Sequence, residues 1–315
     1  MEYKILTVSE LAALTDQFCH LYRKCFTSPI SKDIVRWRYL ENPLNELLVC
    51  VAVDNGRVIA NTAASPCEFF NNGIIEKTAI SLNLMIDPDY RGKGIFTDIT
   101  SKLYKYMEEK GYKSVLGFPN YLSNPTFVTK LGRQTIYEIP TLELNLTDVR
   151  LKKTNTAHIL EDDQFTLNYS EYSHESRSLY LYKTREYLRW RYYKNPINNY
   201  KNFIIKNELG HVRSFIVCKE YHDKLNIVDY CFNESSDIEP LINSAIKYAL
   251  DIKKSYVTVW SQIGTDEHLL MQWLGFRNNY PITYFSGKIL GITENLNEFY
   301  DYRNWFINMG DDNVY

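Results

Sequence analysis

A block of ten residues occurs twice in this chain. Arg36-Trp37-Arg38-Tyr39-x-x-Asn42-Pro43-x-Asn45 returns as Arg189-Trp190-Arg191-Tyr192-x-x-Asn195-Pro196-x-Asn198, with seven identities in ten positions. Identity that includes Trp and Pro is far beyond chance, so the chain is read as two copies of one plan. Each block is followed by a strand pattern, a glycine-bearing turn (Gly56, Gly210) and a second strand pattern. Further on, Leu131-Gly132-Arg133 is echoed by Leu274-Gly275-Phe276. The length of 315 residues suits two domains on a prior of roughly 150 residues each. The expected division is 1–148 and 149–315, the first domain closing near Leu146.

The first copy carries a stretch that the second has lost. Ile80, Leu82, Leu84 and Ile86 alternate with Ser81, Asn83 and Met85, the period of a strand with one buried face. Asp87-Pro88-Asp89-Tyr90 turns the chain. Ile95, Ile99, Leu103 and Met107, widened by Phe96, then mark one face of a helix that Gly111 ends. Arg91-Gly92-Lys93-Gly94 therefore sits where a helix presents unsatisfied amides and the positive end of its dipole. The glycines let the backbone curl into an amide nest, and Arg91 and Lys93 add charge, so the expected guest is a phosphate or pyrophosphate. A P-loop spacing is absent, and a dinucleotide fingerprint would need a glycine where Thr97 stands.

In the second copy, the strand Leu225 to Phe232 leads into Asn233-Glu234-Ser235-Ser236-Asp237 with no Gly-x-Gly. Ile238, Leu241, Ile242, Ala245, Ile246, Ala249 and Leu250 keep the helical stripe, and Ser236 or Asp237 is the expected cap. Glu234, Asp237 and Glu239 would repel a pyrophosphate from that helix start. Only the first copy is expected to bind one.

The rest of the first copy reads as a strand over Met1 to Leu6, a helix from an N-cap at Ser9 through Tyr22, and a helix over Ile30 to Leu40. Strands follow at Leu47 to Val53 and Val58 to Phe70, with turns at Asp54 to Arg57 and Asn71 to Gly73. After the long helix come a short buried strand, Ser114 to Phe118, a stop at Pro119-Asn120, and a helical run to Leu131-Gly132.

This loop in its setting, Asp-Pro-Asp-Tyr-Arg-Gly-Lys-Gly-Ile, resembles the acyl-CoA signature Arg/Gln-x-x-Gly-x-Gly/Ala of the GNAT N-acetyltransferase superfamily. The order of elements over residues 1 to 145 resembles that family too. The resemblance implies an α/β (α+β) fold of two GNAT-like domains. Each would be a mixed, largely antiparallel sheet flanked by helices, with splayed central parallel strands. It implies an acyl-CoA-dependent N-acyltransferase using acetyl-CoA or another acyl-CoA, with no metal. Leu84, Met85, Ile86, Arg91, Gly92, Lys93, Gly94, Ile95, Phe96 and Asn120 would hold the coenzyme. A backbone N–H near Met85 or Ile86 would face the oxyanion.

Catalytic side chains match the family less well. The positions where some members place a carboxylate base are Leu82 and Asn83, and the usual tyrosine acid falls at Val128, beside Phe127. Asn83, Tyr121 and Ser123 are the candidates left near the thiolate, with Glu68 or the segment Gly310-Asp311-Asp312-Asn313 as other sources of a base. Arg38, Glu68 and Asp311 are the expected acceptor-binding residues. The Trp-Arg-Tyr-Asn-Pro block persists in the copy that lost its loop, which favours a fold device anchored on Trp37 over an acceptor site.

The 26 tyrosines suit stacking on a sugar or nucleobase. Tandem GNAT proteins of this length resemble nucleotide-amino-sugar N-acyltransferases of bacterial surface-polysaccharide pathways, so the expected acceptor is a dTDP- or UDP-amino sugar. A Fem-like aminoacyl transferase and a non-catalytic acyl-CoA-binding protein are the other readings. The net charge of -2 argues against a nucleic-acid-binding stripe. No apolar run reaches the ~18 residues of a membrane span. Six cysteines without metal spacing suit reduced thiols in a cytoplasm. The histidines 20, 158, 174, 211, 222 and 268 show no ligand or triad spacing.

Overall fold

A computed structural model describes residues 1–26, 29–149, 158–169, 177–291 and 296–315; His174 lies outside them. The first half begins with β1 (Glu2–Ile5), α1 (Val8–Cys25), α2 (Lys32–Leu40) and β2 (Leu48–Asp54). It continues with β3 (Arg57–Asn71), β4 (Ile74–Ile86), α3 (Ile95–Glu109), β5 (Ser114–Gly117), α4 (Asn124–Leu131) and β6 (Gln134–Asn145). The second half opens with β7 (Leu160–Glu161), β8 (Leu179–Tyr182), α5 (Arg185–Leu188), β9 (Tyr200–Lys206), β10 (Val212–Tyr221) and β11 (Lys224–Cys231). After it come α6 (Ile238–Asp251), β12 (Tyr256–Trp260), α7 (Asp266–Trp273), β13 (Arg277–Ile289) and β14 (Trp305–Phe306).

Two compact units form. Unit 1 holds Met1–Tyr137, Asn195–Ile197 and Tyr284–Tyr302; unit 2 holds Glu138–Lys194, Asn198–Thr283 and Arg303–Tyr315. The sheet of unit 1 runs β1-β2-β3-β4-β5 and is closed by the end of β13, where Ser286 to Ile289 pair antiparallel with Gly117 to Ser114. In unit 2 the end of β6 pairs with β12, followed by β11, β10, β9 and β7. Among the described residues each of these strand runs is antiparallel except at its central parallel pair, β4/β5 or β11/β12, and β8 and β14 make a further parallel pair in unit 2. The expected mixed, helix-flanked sheets are therefore present.

Two apolar layers sandwich the unit 1 sheet. Ile95, Ile99, Leu103 and Met107 of α3 pack on one face with Ala52, Ile59 and Ala79. Leu11, Phe18 and Leu21 of α1, with Val35 and Tyr39 of α2, pack on the other with Val49 and Val51. The cap of α1 is Thr7 rather than Ser9. Its hydroxyl accepts the Glu10 amide at 3.4 Å and the Glu10 carboxylate accepts the Thr7 amide at 2.9 Å, a reciprocal box that Ser9 cannot make from inside the first turn. Thr7→Ala should lower the unfolding free energy of unit 1 by about 1 kcal/mol, read from urea unfolding; an unchanged midpoint would exclude the box.

The strand alternation also needs correcting. Leu82 and Met85 pack on the α1/α2 side, whereas Leu84 and Ile86 pack on the α3 side. The register slips between Asn61↔Met85 and Ala63↔Leu82, so β4 carries one extra residue opposite Thr62. This β-bulge reverses the faces beyond it.

Candidate active site

Parallel pairing of β4 with β5 covers Thr78↔Ser114, Ala79↔Val115 and Ile80↔Leu116, and then stops. Residues Ser81 to Ile86 continue β4, paired among the described residues to β3 alone, so one edge of the strand lies open for roughly 17 Å. The bulge lies in this open part. The Asn83 carbonyl is tied back to β3 by the Asn61 side-chain amide at 2.9 Å.

At the end of this fork lies the charged loop. Asp87 anchors it: the buried carboxylate accepts Lys24 Nζ at 2.9 Å, Arg57 Nη2 at 3.2 Å and the Asp89 amide at 3.3 Å. Burial alone would raise the Asp87 pKa; the hydrogen bonds and charges of Lys24, Asp89 and Arg57 outweigh it and hold the carboxyl below its ordinary value. Its contribution to stability is therefore present above the unfolded pKa and is lost as pH falls through the lowered one.

Arg91, Gly92, Lys93 and Gly94 are exposed. Gly92 and Gly94 adopt φ of 77° and 79°, and an added Cβ at either would meet nothing within 4 Å. Gly94 is the N-cap of α3, and Thr97 and Asp98 already donate to its carbonyl, whereas the amides from Gly92 to Phe96 have no backbone partner among the described residues. Lys93 Nζ stands 4.7 Å above the Tyr90 ring, whose hydroxyl donates to Asp54 at 2.8 Å. Fixed glycines, free amides and two cations fit a diphosphate. Phe96 meets Phe127 of α4 edge to face at 5.5 Å, which joins the loop to the far wall of the fork.

The bulge turns Asn83 toward α2, where it lies beside the buried Tyr39 hydroxyl. Burial pushes that hydroxyl's pKa up to about 12. Tyr39 Oη, Asn83 Nδ2, Asn61 Oδ1 and Arg38 Nε are buried without hydrogen-bond partners. Met85 is in the core, while Leu84 and Ile86 are half-buried on the α3 face. Asn120 and Ser123 build the turn into α4: the Asn120 carboxamide accepts the Leu122 and Ser123 amides at 3.1 and 3.0 Å and the Ser123 hydroxyl at 3.1 Å. Tyr121 is exposed.

Other candidates lie elsewhere. Glu68 pairs with Lys77, three positions before the fork opens at Ile80. Asp311 belongs to unit 2, buried against Lys183 at 2.7 Å, and burial raises its pKa against the Lys183 charge. Lys183 also meets Asp229 at 2.8 Å, and that carboxylate accepts the Tyr192 hydroxyl and the Asn308 amide, each at 2.6 Å. Among the described residues no cluster suits a metal ion.

The repeated block is a fold device in both copies at its aromatic positions. Trp37, Tyr39, Trp190 and Tyr192 are all buried. In the second copy Arg191 donates to the carbonyls of Gly310, Asp312 and Tyr315, and the block forms a π-helix (Arg189–Tyr193) instead of the α-helical turns of α2. At the start of α6, Asp237 holds the cap position but turns its carboxylate to Arg213, at 2.8 and 2.9 Å, and to Ser214 at 2.6 Å. No glycine loop precedes that helix.

Sequence reasoning missed Asp87 as the loop's anchor, Asn61 as the bulge's tie, and Arg133. Arg133 had one signal, its replacement by Phe276 in the Leu-Gly echo.

Residues 11–136 match a family model described as acetyltransferase (GNAT) domain. No curated protein sequence matches the chain. Among solved structures, a probable N-acyltransferase of unknown function from Enterococcus faecalis V583 aligns with a TM-score of 0.70 at 14% identity, over 92% of this chain and 72% of its own. A GCN5-related N-acetyltransferase from Anabaena variabilis aligns with a TM-score of 0.68 at 13% identity, over 92% and 72%. Saccharomyces cerevisiae N-myristoyltransferase with bound myristoyl-CoA aligns with a TM-score of 0.61 at 11% identity, over 91% and 78%. At such identities the likeness is one of fold.

Proposed function

We propose that a chain with an acetyltransferase (GNAT) domain over residues 11–136 transfers an acyl group from acyl-CoA to the amine of a small acceptor. The observation that carries this reading is the fork. An anion-ready loop at Gly92 to Phe96 stands at one end of a β4 edge left open from Ser81 to Ile86. An extended phosphopantetheine arm is of comparable length to that edge. In this reading the loop amides, Arg91 and Lys93 hold the diphosphate, the arm hydrogen-bonds along β4, and the thioester lies near the bulge. The acceptor amine attacks the thioester carbon, the carbonyl oxygen gains charge toward a β4 amide, and collapse expels the thiolate. Positioning is worth up to ~7–11 kcal/mol in such reactions, which lessens the need for a strong base. Asn83, Tyr121 and Ser123 are the side chains proposed to assist, and the Tyr39 hydroxyl beside Asn83 joins them.

The acceptor we propose is a nucleotide-linked amino sugar, on the strength of the tyrosine-rich composition, with unit 2 holding no coenzyme. The experiment incubates the protein with acetyl-CoA and dTDP- or UDP-amino sugars and follows free thiol. Thiol release that requires the amino sugar supports the reading. Release with other amines only overturns the acceptor class, and coenzyme binding without turnover overturns catalysis.

A further inference from the structure

Arg133 follows α4 and is 2% exposed. Its guanidinium lies across the point where the fork opens. Nη2 donates to the Ser81 hydroxyl, on the first β4 residue past the last pair, and Nε donates to the Tyr104 hydroxyl at 2.9 Å. Nη1 stands 2.5 Å from where a Cβ on Gly117 would be, so the glycine on β5 is what admits it. Phe127 lies beneath the guanidinium carbon at 4.6 Å. Lys288 adds a second cation, 5.7 Å from the Tyr104 ring centroid, with Nζ donating to the Leu131 carbonyl at 2.7 Å.

Every contact to Arg133 is neutral, and among the described residues no carboxylate lies within ion-pair distance and Nη1 has no hydrogen-bond partner. Burying a guanidinium without a counter-charge is costly. The fold does not require it. In the copy without the glycine loop, the same place after Leu-Gly is taken by Phe276, fully buried, and the following strand begins one residue later in both copies, at Gln134 and at Arg277. Beyond Ile227↔Val259 the second copy's β11 also runs on without β12, so both copies splay, and the charge is kept only in the copy that carries the glycine loop, at the end of the fork opposite that loop.

We propose that Arg133 selects an acyl group that itself ends in a carboxylate, the monothioester of a short dicarboxylic acid. This rests on the acyl-CoA reading above and deepens it. The acyl chain continues from the thioester toward Ile80, and its carboxylate meets Nη1 over Gly117, completing the planar fork of donors that a carboxylate matches.

The test is isothermal titration with coenzyme A, butyryl-CoA and succinyl-CoA, the last two equal in carbon count. Wild-type protein should bind succinyl-CoA at least about tenfold more tightly than butyryl-CoA, and Arg133→Phe, the residue the other copy tolerates, should abolish the difference while leaving coenzyme A affinity within about threefold. Arg133→Lys should keep part of the preference. Equal wild-type affinities for the two thioesters, with coenzyme A still bound, would overturn the inference and leave the acyl-CoA reading standing. If no coenzyme A binds, both fall. A preference that survives in Arg133→Phe would also overturn it.

Discussion

Gly94→Val should weaken coenzyme A binding by about 10- to 100-fold, measured by titration calorimetry. The reasoning separates two costs. At φ of 79° an L-residue is strained by about 1–2 kcal/mol, and a β-branched side chain suffers most. That strain either destabilises the start of α3 or is relieved by unwinding the loop. Relief removes the alignment of the amides from Gly92 to Phe96, and each 1.4 kcal/mol lost is tenfold in affinity. The branched side chain also enters open space, since no protein atom lies within 4 Å of the new Cβ. The fold should therefore survive while the space a phosphate needs is filled. An unchanged dissociation constant would remove the loop from the site, whatever the chain's activity proves to be.

Asp229→Ala should be among the most destabilising single changes in unit 2, by about 3–5 kcal/mol in urea unfolding. The alanine removes one of the two carboxylates that the buried Lys183 ammonium meets, takes away the acceptor that the Tyr192 hydroxyl reaches at 2.6 Å, and costs the Asn308 amide its 2.6 Å bond while leaving its longer one to the Tyr230 carbonyl at 3.3 Å. Asp311 does not compensate fully, because burial already disfavours its charged form. Asp229→Asn should recover part of the loss, since an amide oxygen still accepts from Tyr192. A cost below about 1 kcal/mol for the alanine would mean that water reaches the network and that its burial overstates its role. The same experiment bears on Asp311, which the sequence suggested for acceptor binding: if the network is structural, Asp311→Asn should act on stability first.

Much of the fold was legible because its signals are local. The repeated block, the hairpin turns at Gly56 and Gly73, and the stripe from Ile95 to Met107 each state their structure within a few residues. The loop was legible for the same reason: glycines beside Arg91 and Lys93 at a helix start have one strong physical reading. What escaped was what depends on partners distant in sequence. Leu82 and Leu84 look alike in an alternating run, and only the register against β3 reveals the bulge that sends them to opposite faces. Asn120 read as a coenzyme contact and Ser123 as a reactive group, and the spacing did not disclose that both also turn the chain into α4. Arg133 looked like one residue in a short echo, and its meaning comes from Ser81 and Gly117, which no spacing rule connects to it.

The pairing of β6 with β12, and of β13 with β5, has a further implication. Each half of the gene encodes a strand of the other half's sheet. After such a trade neither copy can be deleted without leaving its sibling frayed, so selection has reason to retain a duplicate even once its own chemistry has decayed. The absence of a glycine loop at Glu234 to Asp237 is then no sign of a domain on its way out. It is what a hostage looks like when its ransom is a β-strand.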